Sequence, residues 1–261
     1  MRRSWPLSAG ETGCRTRVDF YEFLKKDEIM DKQAILKRIE SIGVVPVIRS
    51  ETADNVIRAV EALVEGGIPV AEITMTVPDA IKVIERCVAH FGDRITLGAG
   101  SVTHADACAE VIDAGCVFVV TPVFVPAVID ICKHRGVCVI AGALTPTEIF
   151  MAWEAGADVI KVFPARVMGG AAYLRMVHEP LPQIPLMPTG GVTIETLSDY
   201  FKAGVKFVGA GGDLVSKKAI DTGNTRSITD RARQYMAAIV ETRGKEFSPK
   251  KQLVEPDKQD K

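Results

Sequence analysis

Between residues 44 and 243 a short run of apolar, mostly β-branched residues gives way eight times to a longer amphipathic stretch. The short runs read VVPVIR, VAEIT, ITLGAG, VFVVTP, VCVIAG, DVIKVFP, IPLMPTGG and KFVGAGG. Each is nearly continuous in apolar residues, the pattern of a strand buried on both faces. Stretches such as ETADNVIRAVEALVEGG and TPTEIFMAWEAGA carry helical spacing instead. In the second, Thr145 suits the N-cap, Pro146 the first helical position and Glu148 a capping box. Glycines in EGG, DAG, EAG and KAG sit where several helices end and a left-handed residue is favoured. Strands alternating with helices demand a parallel sheet covered on both faces. Eight such units predict a closed (β/α)8 TIM barrel, with an extra N-terminal helix near residues 31–41 capping its base. An open doubly wound sheet is the competing topology, but the first strand–helix junction, VIRSETADN, has no GxGxxG.

A barrel of this kind needs roughly 250 residues, so the 261-residue chain is expected to form one catalytic-sized domain over residues 30–243. Residues 1–29 are expected to be a poorly ordered N-terminal extension. They begin MRRSWPLSAGETGCRTR, without the apolar centre of a signal peptide, and Met30 makes a natural start for the folded part. Residues 244–261 are expected to be a disordered polar tail. A formal net charge of −1, with no basic run interleaved with aromatics, argues against nucleic-acid and membrane-surface partners. No apolar run approaches the roughly 20 residues of a membrane span. The six cysteines (14, 87, 108, 116, 132, 138) show no CxxC spacing and read as free thiols in a reducing, cytoplasmic setting. His90, His104, His134 and His178 show no ligand spacing, so neither a metal nor a cofactor is expected.

In a barrel the active site lies at the C-terminal ends of the strands. Those ends carry Arg49, Glu72 to Thr76, Gly98 to Ser101, Thr121–Pro122, Lys161 to Pro164, Thr189 to Gly191 and Gly209 to Gly212. Lys161 is the anomaly, an ammonium inside an apolar strand where burial without a partner costs several kcal/mol. Side chains alternate along a strand, so Lys161 shares a face with Val159 and Phe163, and Glu72 with Val70 and Thr74. Strands two and six stand opposite each other, and alternate strands fill one interior layer. Glu72 and Lys161 can therefore meet near the mouth. One reading is a buried ion pair without chemistry. The other is a Schiff-base site: a desolvated lysine loses its charge more readily, attacks a ketone, and lets a neighbouring carboxylate move protons. That is class I aldolase chemistry, which requires no metal. The loops MPTGGVT and VGAGG place Gly190, Gly191, Gly211 and Gly212 where barrels hold phosphate, although glycines there can equally serve tight turns. Asp213 follows directly and would repel a phosphate unless it turns away, which keeps an unphosphorylated substrate open.

The motifs VVPVIR, AEITMTVP, GAGSV, TPVF, KVFPA and MPTGGV, in this order and spacing, resemble the bacterial 2-keto-3-deoxy-6-phosphogluconate aldolase family. Its members include 2-keto-3-deoxy-6-phosphogalactonate and 4-hydroxy-2-oxoglutarate aldolases, and the resemblance runs from about residue 36 to residue 216. It implies a homotrimeric barrel in which Lys161 forms the Schiff base and Glu72 is the acid/base, with a small keto-acid as substrate. It further implies that Ser101, where most relatives have threonine, lies near the pyruvyl carboxylate, that Thr189 lines the substrate, and that Pro122 and Phe163 wall the pocket. Some members carry an arginine where this chain has Thr76; here Arg49, ending the first strand, is assigned the substrate-anion role. Gly212 stands where the family often has serine, so one hydroxyl donor to a phosphate is missing. The leading expectation is cleavage of a 2-keto-3-deoxy-6-phospho sugar acid to pyruvate and glyceraldehyde 3-phosphate. An unphosphorylated substrate such as 4-hydroxy-2-oxoglutarate is the alternative. A sugar-phosphate isomerase or decarboxylase without imine formation and a non-catalytic anion-binding scaffold are the rivals.

Overall fold

The computed structural model describes residues 31–244. The expectations for residues 1–29 and for the tail beyond Gly244 fall outside them. The chain enters through α1 (Lys32–Ile42) and then alternates strand and helix. The first half runs β1 (Val44–Ile48), α2 (Ala53–Glu65), β2 (Val70–Thr74), α3 (Ala80–Phe91), β3 (Thr96–Gly100), α4 (Ala105–Asp113), β4 (Phe118–Val120) and α5 (Pro126–Arg135). The second runs β5 (Cys138–Ala143), α6 (Pro146–Glu154), β6 (Val159–Val162), α7 (Ala171–His178), β7 (Leu186–Pro188), α8 (Ile194–Lys202) and β8 (Val208–Ala210). After β8 the last helical unit divides into a short α9 (Lys217–Asp221) and a long α10 (Thr225–Arg243).

All eight strands are parallel and pair in sequence order, with β8 returning to β1. A bridge between Thr189 and Gly209 joins the end of β7 to β8 and closes the (β/α)8 barrel. Every strand residue is buried. This is why the strands read as unbroken apolar runs: interior side chains fill the barrel while the others meet the helices. The helix ends follow from the sequence. Thr145 accepts the Glu148 N–H and the Glu148 carboxylate accepts the Thr145 N–H, a reciprocal cap at the start of α6. Gly67, Gly115, Gly156 and Gly204, just beyond α2, α4, α6 and α8, all have positive φ. At the base, α1 buries Ile35, Ile39 and Ile42. Its Lys32 pairs at 2.7 Å with Asp158, which also accepts the Val139 N–H at 2.8 Å. Cys87, Cys108, Cys116, Cys132 and Cys138 are buried free thiols.

Candidate active site

Lys161, next to last in β6, is 4% exposed, and Glu72, central in β2, is 0% exposed. Their facing strands bring Nζ to 3.7 Å from Oε1. That is too long for a hydrogen bond and short enough for strong charge coupling. Neither Glu72 oxygen has a hydrogen-bond partner among the described residues. Buried carboxylates ordinarily accept several bonds, so this one keeps its acceptor capacity free for a bound molecule.

The space for Glu72 is made by β3. A Cβ on Gly100 would overlap the Glu72 carboxyl, and one on Gly98 would overlap the Phe118 ring. These alternate residues share a face, so glycines on one side of β3 admit both the acid and the ring beneath it. Phe163 continues from Lys161. Its ring centroid lies 5.6 Å from Nζ, within cation–π range. The same ring covers Gly190 at 3.2 Å from where a Cβ would stand, which ties the lysine to the β7–α8 loop. Thr189, in that loop, is 5% exposed and its hydroxyl has no hydrogen-bond partner among the described residues. It lies against Gly209 of β8, so the two glycine-rich loops are side by side. Gly211 and Gly212 border open space.

Around the rim the expected residues separate. Arg49 is exposed and donates to Thr76 at 3.5 Å. Thr76 and Thr74 hydroxyls lie 2.7 Å apart, and Thr74 donates to the Ile48 carbonyl at 3.0 Å. With the Thr74 proton used there, the Thr76 hydroxyl must donate to Thr74 and accept from Arg49, which orders the chain in one direction. Ser101 has φ 60, a left-handed value unusual outside glycine, directly after Gly100. Among the described residues no hydrogen bond or ion pair joins Arg49 or Ser101 to the central pair. Pro122 packs its backbone over Gly142, the register neighbour of Lys161. Thr121 holds it there by accepting the Gly142 N–H at 2.9 Å and donating to the Val123 carbonyl at 2.6 Å.

Asp213 does turn away. Its carboxylate accepts from Arg231 at 2.8 Å on each oxygen and from the Tyr235 hydroxyl at 2.6 Å. Among the described residues no group of three or more His, Cys, Asp or Glu is placed to hold a metal. Sequence reasoning placed Thr74, Gly100 and Thr121 at the informative strand ends but assigned them no role.

The family described as KDPG and KHG aldolase matches residues 35–231. The chain belongs to this family. It is 31% identical over 206 residues to the 2-dehydro-3-deoxy-phosphogluconate aldolase of Treponema pallidum, spanning 78% of this chain and 97% of that protein. It is 33% identical over 174 residues to the 2-dehydro-3-deoxy-6-phosphogalactonate aldolase of Escherichia coli, covering 66% of this chain and 84% of that one. Among solved structures it resembles the KDPG aldolase of Legionella pneumophila with pyruvate captured as a covalent carbinolamine. That likeness has a TM-score of 0.71 and 28% identity, and covers 80% of this chain and 98% of the other. The family is one of lyases, and in this member Lys161 and Glu72 stand on opposite strands of a closed barrel.

Proposed function

We propose that this aldolase cleaves a 2-keto-3-deoxy-6-phospho sugar acid to pyruvate and glyceraldehyde 3-phosphate through an imine on Lys161. The reading is carried by the buried amine 3.7 Å from a carboxylate neither of whose oxygens has a hydrogen-bond partner among the described residues. The uncharged amine attacks the C2 carbonyl to give a carbinolamine, and Glu72 supplies the proton with which the hydroxyl leaves as water. The iminium then accepts the electron pair of the C3–C4 bond as the C4 hydroxyl gives up its proton to the Glu72 carboxylate, releasing the aldehyde. The enamine is protonated at C3, and water returns the amine and frees pyruvate. Arg49, aligned by Thr76, and Ser101 take the substrate's anionic end. Pro122, Phe163 and Thr189 wall the pocket, and Gly190, Gly191, Gly211 and Gly212 offer backbone N–H groups to the distal phosphate. The inward-lying pair of glycine loops and the withdrawn Asp213 support the phosphorylated substrate. The missing hydroxyl at Gly212 favours 4-hydroxy-2-oxoglutarate as a second substrate.

Pyruvate and borohydride test the chemistry. A stable adduct mapped to Lys161 is expected, and its absence would leave an imine-free enzyme or a non-catalytic barrel. Relative turnover of phosphorylated and unphosphorylated keto-acids then decides the substrate.

The same proposal includes a cytoplasmic homotrimer. Buried free thiols suit a reducing compartment. Val123, Phe150, Met151, Val167, Met168 and Met176 are exposed on successive units from β4 to α7, and neighbouring copies would cover them. Light scattering should return the mass of three chains.

A further inference from the structure

A second cavity, of about 650 Å³, lies behind the β7–α8 loop between α7 and α8. Small-molecule pockets span about 300–1,000 Å³. Of the residues assigned above to the substrate, Gly191 borders it at one side, and Lys161, Glu72 and Phe163 do not. Its walls include Arg166, Ala171, Ala172, Arg175, Asp199 and Tyr200.

Four features that line the same space carry hydrogen-bond donors. The N-cap of α7 is Gly170, which has no side chain to cap the helix, so the first-turn amides of Ala171 and Ala172 open into the cavity. Arg166 and Arg175 make no side-chain hydrogen bond or ion pair with any described residue. The stem of Arg166 lies against Gly191, and its own N–H donates to the Gly190 carbonyl at 3.1 Å, which limits the guanidinium's wandering. Tyr200 is 2% exposed, yet its hydroxyl has no hydrogen-bond partner among the described residues. That hydroxyl comes within 3.3 Å of where a Cβ on Gly170 would stand, at the cavity wall. Burial pushes the phenol above its ordinary range and the nearby Arg166 opposes the shift, which places the arginine's charge beside it.

Held by a buried ring, the unpartnered Tyr200 hydroxyl at the cavity wall offers a donor to whatever the cavity holds. Two free guanidinium groups and an open helix N-terminus favour an acceptor with two negative charges and several oxygens. Asp199, paired with neither arginine, adds an acceptor at the edge that suits hydroxyl groups. We propose that this cavity binds a phosphate dianion, free or as the head of a small hydroxylated ester, at a site separate from the Lys161 centre. The proposal does not depend on imine formation.

Calorimetric titration of the full chain and of Lys161→Ala with inorganic phosphate and with glycerol 3-phosphate tests it. Both proteins should bind at this site. Arg166→Gln and Arg175→Gln should each weaken binding about tenfold or more, and the conservative Tyr200→Phe severalfold. Arg175→Gln should leave pyruvate trapping on Lys161 unchanged. Asp199→Asn should weaken glycerol 3-phosphate alone if the occupant is an ester, and neither ligand if it is free phosphate. Absence of binding, or binding indifferent to both arginine variants, would overturn the site. So would binding lost in Lys161→Ala, because the ion would then lie in the barrel mouth. Failure of pyruvate trapping with phosphate binding intact would refute the aldolase proposal and leave this one standing.

Discussion

Glu72 and Asp213 both face cations, and the two sites could hardly be finished more differently. Asp213, half-buried beside β8, takes three side-chain hydrogen bonds from Arg231 and Tyr235, and its backbone carbonyl takes a fourth from Arg231 at 3.1 Å. Glu72 is fully buried and takes none among the described residues, with the Lys161 amine at 3.7 Å. A carboxylate serving the fold saturates its oxygens, because each unpaired one adds a desolvation cost. A carboxylate left unsaturated in the interior lowers stability, which makes sense where a substrate completes it. On the proposed mechanism, the open acid is the reactive one.

The sharpest way to break this contrast is Lys161→Ala. It should eliminate the borohydride-stable pyruvate adduct and with it measurable cleavage, as judged by mass spectrometry and pyruvate release. Glu72→Gln keeps the shape but not the proton traffic. It should still form the pyruvate adduct while turnover falls by about 100-fold or more; unchanged turnover would mean that Glu72 is only the lysine's counter-ion. Gly100→Ala probes the room made for the acid. Displacing the carboxyl should cost about 10- to 100-fold in kcat/KM and, on denaturant unfolding, about 1–3 kcal/mol from overpacking.

Asp213→Asn should show the opposite profile. Losing a saturated acceptor should cost about 1–3 kcal/mol of unfolding free energy, with pyruvate trapping on Lys161 intact. The smallest effect concerns pH. Burial, and secondly its bond to Asp213, hold the Tyr235 phenol above its ordinary value. The folded chain therefore keeps that proton more tightly than the unfolded chain does. This contribution to stability is complete below about pH 10 and is lost as pH rises past that unfolded value. Tyr235→Phe should flatten the alkaline decline in unfolding midpoint, and an identical decline in both proteins would remove Tyr235 from the account.

Much of the barrel was legible because its signals are local. A strand buried on both faces must be apolar at every position, and helix ends must satisfy their own amides and carbonyls. Runs such as VCVIAG and the Thr145–Glu148 cap declare themselves within a few residues. Lys161 stood out for the same reason, since an amine in such a run contradicts its surroundings. Arg49 and Thr76 could be named, but not the hydroxyl relay through Thr74 that joins them, because the direction of hydrogen bonds depends on the Ile48 carbonyl of another strand.

Read along the chain, then, the residues themselves determined eight strand–helix units, the two even strands bearing the acid and the amine, and the glycines at the last two turns. Only folding in three dimensions decided that Glu72 is left without a hydrogen-bond partner among the described residues, that Gly100 vacates its place for it, and that Asp213 is drawn off by Arg231, 18 residues onward. The reason is range. Periodicity and capping act over one turn or one strand, whereas barrel tilt and stagger set which side chains from distant segments share a few ångströms, and those few ångströms separate a saturated ion pair from an open one.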